Sequence, residues 1–252
     1  MQTHTINPST APGSTGAKGA TRRVVDAPMR MFHWLFALSF VGAYLSAESE
    51  HWRLLHATLG YTMAGLLAFR LAYGLFGPKP FRLAVLWRKL TATPAWLRSL
   101  ASNASPLEVN WRQGQNLVMA ALVATLLVLV LPITLSGYAI YNDWGGDFWI
   151  DALGELHEFA GELFLMVVLA HVALIAGLSI LRRSNMAQPM VTGRSPGKGL
   201  DLVPGNRTVL AIALLLAVIA FGAWQWQQAP HGLIPAAGFS ASTLLQDDED
   251  SD

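Results

Sequence analysis

The 252-residue chain is 53% hydrophobic and only 13% charged, the profile of a membrane protein rather than a soluble one. It has no cysteine, which excludes iron–sulfur clusters, covalently attached c-type haem and disulfides. The net charge of +1 says less than where the charges lie, and no nucleic-acid partner is expected.

Residues 1–21 are small, polar and interrupted by Pro and Gly, with no apolar core. They read as a disordered tail rather than a cleavable signal peptide, whose apolar stretch should follow a short basic start. A bilayer core of about 30 Å calls for roughly 20 apolar residues per crossing. Five segments answer to that: a short one at Met31–Ala47, then Leu54–Phe76, Leu117–Ile140, Leu156–Leu181 and Val209–Trp226. Between the second and third, Pro78–Asn110 mixes Arg and Lys with Phe81, Trp87 and Trp96; it suits one or two interfacial helices as well as a plain basic loop. Pro132 predicts a kink in the third segment, with no ligand role. The expected organisation is a tail (1–23), a four-helix domain (24–183), a basic linker (184–207), a fifth transmembrane helix (208–227) and an acidic tail (228–252). The fold class is therefore an all-α membrane protein, a four-helix bundle plus a fifth C-terminal helix.

The loops alternate in charge. Lys18, Arg22, Arg23 and Arg30 precede the first segment. The loop between segments two and three holds Lys79, Arg82, Arg88, Lys89, Arg98 and Arg112 against Glu108, and Arg182, Arg183, Arg194, Lys198 and Arg207 follow segment four. The opposite connections carry Glu48, Glu50 and Arg53, then Asp143, Asp147, Asp151 and Glu155. By the positive-inside rule the N-terminus is cytoplasmic, and the acidic loops and C-terminus face the periplasm or its equivalent.

His157 and His171 stand fourteen residues apart in the fourth segment. On a helix that spacing brings them within roughly 40° of one face and separates them by about 21 Å. Two imidazoles at two depths suit two stacked haems. His56, near the outer start of the second segment, matches His157 in depth, and His33, near the inner start of the first, matches His171. Bis-imidazole ligation fills both axial positions of an iron, which suits electron transfer. A copper or zinc site would gather its ligands at one depth, and a proton-relay transporter would show carboxylates at the midplane. His51 competes with His56 but lies outside the apolar period beside Glu50; His4 and His231 fall in polar or terminal segments. Arg70, fourteen residues after His56, lies on the same helix face at the inner level, where a haem propionate is its natural partner, although snorkelling to headgroups is an alternative. Arg30 is placed to do the same from the first segment. Gly60, Gly65, Gly161 and Gly177 offer backbone that a flat porphyrin can approach, though glycine is common in membrane helices.

The stretches VVDAPMRMFHWLF, LLHATLGYTMAGLLAFRLAYGLFG and LHEFAGELFLMVVLAHVAL together resemble the bacterial cytochrome b561 / nickel–iron hydrogenase cytochrome b family, over roughly residues 24–183. The resemblance implies a four-helix bundle binding two b-type haems, with His33, His56, His157 and His171 as ligands and Arg70 in the family's FR…GxxG stretch. It further implies electron exchange between membrane quinone, ubiquinone or menaquinone, and a periplasmic partner: a c-type cytochrome or a dehydrogenase or hydrogenase subunit. One departure is visible: where the family's third helix often starts Gly-His-Asn-Pro, this chain has Gly114-Gln115-Asn116-Leu117. Two competing roles remain open at this stage, a superoxide:quinone oxidoreductase and the cytochrome b anchor of a hydrogenase or formate dehydrogenase. An acidic outer face would repel superoxide, which counts against the first.

Overall fold

Asp26, Ala27 and Pro28 begin the first helix. The Asp26 carboxylate accepts from the Met29 N–H at 3.4 Å, and Pro28 occupies the first turn, where a missing N–H breaks no helical bond. Helix α1 then runs over Ala27–Leu45, and Ser46 closes it by donating its hydroxyl to the Gly42 carbonyl at 2.8 Å. In the computed structural model, which describes residues 20–102 and 109–229, a single 3-10 turn (Glu50–Trp52) leads into α2 (Arg53–Phe76). Two short helices follow, α3 (Leu83–Thr91) and α4 (Thr93–Ser102). The long pair α5 (Trp111–Tyr141) and α6 (Asp147–Leu181) comes next, then α7 (Gln188–Thr192) and α8 (Thr208–Gln228). Helix α5 continues through Pro132 without interruption.

Four of these elements are long and apolar enough to cross a membrane: Glu50–Phe76, Trp111–Tyr141, Asp147–Leu181 and Thr208–Gln228. The C-terminal helix is among them, but α1 is not, because Arg30 and His33 dilute its apolar run. Five crossings are thus not shown; the structure is that of a helical protein with four candidate spans. Helix α6 also begins nine residues before the expected Leu156, so its first turns carry Asp147, Asp151 and Glu155.

Packing follows a chain of neighbours. Helix α5 lies along α6, α2 along α5, and α1 along both α2 and α8. Two buried clusters join them. Val25, Met29, Phe32, Leu66 and Tyr73 form one, covered partly by Leu214 and Val218 of α8. Met63, Leu67, Val130 and Phe164 form the other, with Phe36 and Phe40 of α1 against it. The last residues of the segment expected as a tail, 1–23, take part in a strand pair. Strand β1 (Thr21–Arg23) pairs antiparallel with β2 (Arg194–Pro196), Arg22 opposite Ser195, and residues 1–19 and 230–252 lie outside those described. Arg194 reinforces the pairing by donating Nε to the Thr21 hydroxyl and Nη2 to its carbonyl, each at 2.9 Å.

Candidate functional site

Helices α2 and α6 bring His56 and His157 together edge to face, with ring centroids 5.9 Å apart and planes at 70°. Each ring is oriented through Nδ1. The Nδ1 of His56 lies 2.8 Å from the carbonyl of Ala43, one of the last four carbonyls of α1, which have no partner within the helix. The Nδ1 of His157 lies 2.9 Å from the Ile133 carbonyl of α5 and 3.2 Å from the Ser136 hydroxyl. That hydroxyl gives its own proton to Pro132 O at 2.6 Å, so it is left as an acceptor toward the imidazole. With Nδ1–H donated to a carbonyl, each ring keeps Nε2 as a lone-pair ligand, the usual tautomer-fixing arrangement around metal-bound histidine. Two metal–nitrogen bonds of about 2 Å each, plus the half-widths of two imidazoles, sum to about 6 Å. The observed separation fits that requirement.

Gly137 makes this approach possible. A Cβ there would stand 2.8 Å from Cε1 of His157, so any side chain would push the ring off the Ile133 carbonyl. Gly60 and Gly161 each lie one turn after a histidine of this pair, and a Cβ at either would meet nothing within 4 Å. Gly65 and Gly177 face open space in the same way. A flat group has room beside all four. His51, the sequence competitor, lies instead on the exposed 3-10 turn, edge-on to Trp52.

His33 of α1 and His171 of α6 lie within electrostatic reach of each other. Their Nδ1 atoms are buried and have no hydrogen-bond partner. Buried polar atoms are ordinarily satisfied, so this pair is incomplete as a purely protein structure. Arg70 is the same kind of orphan: it is 7% exposed, and its Nη1 is buried without an acceptor. The guanidinium packs on Gly74, where a Cβ would come within 2.8 Å of Nη1 and 2.6 Å of Leu83 Cγ. An unpaired buried cation is strongly unfavourable, so the site calls for an anion. Arg30 is committed elsewhere, its Nη1 donating to the Val191 carbonyl at 2.8 Å while Trp34 Nε1 reaches Met190 O at 3.0 Å. The structure therefore holds Arg30 against the α7 turn, and its Nε is buried without a hydrogen-bond partner.

Between the two pairs stands Phe164, seven residues from either histidine of α6 and 1% exposed. Phe40 and Phe36 of α1 pack on it with centroids 4.7 and 6.2 Å away. Phe164, Gly137 and Ser136 escape a reading that looks only for ligands. The signal for Phe164 was available, since the midpoint of a fourteen-residue spacing shares its face.

A further buried group lies where α1, α2 and α8 meet. Asp26 is fully buried and accepts from the Tyr73 hydroxyl of α2, and Arg207, just before α8, pairs with it at 3.3 Å. Its place before Ala-Pro in the sequence marks it as a helix cap but says nothing of these two partners. Among the described residues, no three His, Asp or Glu side chains converge on a metal-ion site.

A family model described as prokaryotic cytochrome b561 matches residues 24–193, about two thirds of the chain and all four histidines. The chain belongs to that family. Neither a search of curated proteins nor one of solved structures gives a match. The b561-type chain is accordingly a membrane b-type cytochrome of electron transfer, and its four apolar helices agree with a membrane location. The matched region ends at Gly193, so α8 lies beyond it.

Proposed function

We propose that this cytochrome binds two haem b groups, one between His56 and His157 and one between His33 and His171, and relays electrons between the quinone pool and a periplasmic redox partner. The observation that supports this reading best is the approach of His56 to His157, ring centroids 5.9 Å apart, with His33 and His171 within electrostatic reach of each other elsewhere along α6. A bis-imidazole haem supplies a one-electron carrier with no open coordination position. The residues of the chain do the rest. Ala43, Ile133 and Ser136 hold the outer imidazoles in the ligating tautomer, Arg70 receives a propionate, and Phe164 with its aromatic neighbours fills the space between levels and excludes water.

In this reading α1 crosses the membrane with the four longer helices, its one polar flank covered by the inner haem. The basic loops place the N-terminus in the cytoplasm, and five crossings carry the C-terminus to the periplasm. Ubiquinone or menaquinone exchanges electrons at the basic, aromatic inner surface, and a c-type cytochrome or a dehydrogenase or hydrogenase subunit meets the outer haem. A superoxide-oxidising role would want a free cation on the outer face. Arg53 is the candidate there, but it stacks over Tyr141 at 5.6 Å and lies 4.0 Å from Glu50, so it offers little isolated positive field.

The deciding measurement is the haem-to-protein ratio with a redox titration on wild type and His56→Ala. Two haems per wild-type chain, and one retained in the variant with a single midpoint potential, is the expected result. Retention of both in His56→Ala would overturn the pairing.

A further inference from the structure

The basic loop after α2, on the surface assigned above to quinone exchange, builds a cavity that no histidine lines. It has a volume of about 650 Å3 and lies between α3 and the first turns of α5. Arg88 and Lys89 line it from the last turn of α3, and Arg112 lines it from the first turn of α5. All three are exposed. The ion pairs among the described residues are Arg23–Asp201, Arg53–Glu50 and Arg207–Asp26, so none of the three cations has a carboxylate partner there. Even with Glu108 counted, the sequence from Lys79 to Arg112 carries six cations against one acid. Gln113 and Asn116 add side-chain amides at the rim, and Val85, Ala92 and Leu117 supply apolar lining. Leu117 is 5% exposed and begins the apolar run of α5.

Three cations and apolar side chains lining one cavity, with Leu117 leading into a membrane helix, suit an amphiphile with an anionic head. Trp87 and Trp111, 67% and 54% exposed, flank the cavity from the same two helices, as interfacial aromatic residues do. Basic pockets between membrane helices are the ordinary receptors for acidic lipid headgroups. An uncharged quinone ring needs only one or two hydrogen-bond donors, which Gln113 and Asn116 supply, and would leave three clustered charges unneutralised. We infer that this cavity binds the phosphate headgroup of an anionic phospholipid, with the acyl chains lying along α5. The inference rests on the membrane placement of α5 and not on haem ligation.

Native mass spectrometry of the full-length, haem-loaded protein in detergent tests it. Dioleoylphosphatidylglycerol should be retained at one molecule per chain under conditions that strip dioleoylphosphatidylcholine. Arg88→Gln combined with Arg112→Gln should weaken that retention roughly 25-fold, about fivefold for each charge removed. Lys79→Gln combined with Arg98→Gln removes two cations of the same loop that do not line the cavity, and should leave retention within about twofold. An unchanged haem spectrum certifies the fold of each variant. Equal retention of the two lipids, or equal weakening by the two double variants, overturns the proposal. So does displacement of the lipid by a short-chain ubiquinone, which would make the cavity a quinone site. Inorganic phosphate alone, at millimolar concentration, should not move the thermal midpoint of haem release; a shift as large as the lipid's would assign the site to a free anion instead.

Discussion

At the scale of single residues, this cytochrome orients His56 and His157 with main-chain carbonyls rather than acidic side chains. A carbonyl fixes the tautomer without adding charge to a membrane interior, where an unpaired carboxylate would be strongly unfavourable. The arrangement depends on Gly137, whose missing side chain lets His157 reach Ile133. Gly137→Ala is expected to overpack this contact by about 1–3 kcal/mol. Its haem-to-protein ratio should fall toward one on dilution, while Gly154→Ala, where a Cβ meets open space, should keep the wild-type ratio. Arg70 makes a different contribution. Replacing it with Gln should lower one midpoint potential by on the order of 50 mV, because the oxidised haem no longer has a cation beside it. An unshifted pair of potentials would show that Arg70 meets some other anion.

At the scale of elements, α6 does two jobs along its length. Its membrane part carries both histidines, and its first turns project an acidic stripe. Asp147, Asp151 and Glu155 fall four residues apart, hence on one side of the helix, and all are exposed. They belong to the same helix as His157 and begin within a turn of it. A stripe of one sign next to a redox centre speeds encounter with a basic partner by long-range attraction. Reduction of a basic c-type cytochrome should therefore slow about tenfold as salt rises through the physiological range. Asp151→Lys should flatten that dependence without changing the haem spectrum, and a rate indifferent to salt would remove the stripe from partner recognition. The early start of α6 is what produces this surface. It could not be read from hydropathy, because polar turns of a long helix look like a loop when only apolar runs are counted.

At the scale of the whole molecule, α8 is joined to the family core by apolar packing along its first half and by polar contacts at its start. Asp26 caps α1, accepts from Tyr73 of α2 and pairs with Arg207 at the start of α8, while β1–β2 ties the preceding segment to the linker. Arg207 takes a left-handed backbone conformation, φ 46°, to make this approach. Asp26→Ala would remove a cap and leave a buried Tyr73 hydroxyl without its acceptor. A loss of about 2–4 kcal/mol is expected, read as a lower thermal midpoint of haem release. Arg207→Ala should be milder, below about 1.5 kcal/mol, since that guanidinium is 41% exposed while the carboxylate is buried. Equal effects would mean that the ion pair, rather than the cap and the tyrosine, dominates.

Much of this protein was legible before its fold. The fourteen-residue spacing of His157 and His171 is a property of one helix, so periodicity alone places both on one face at two depths, and membrane composition and the b561 resemblance follow from local runs of residues. What local runs do not contain is the partner from another helix. The carbonyls of Ala43 and Ile133, the space at Gly137 and the three-way bond at Asp26 join residues 13 to 181 positions apart. Arg30 shows the same limit from the other side. Its position near the inner level made it a reasonable anion binder, yet it turns to Val191, 161 residues away. The sequence by itself determined which side chains share a helix face and how far apart they lie along it, because helix geometry is local. Only the tertiary structure decided how each is held, because a hydrogen-bond partner is chosen by packing.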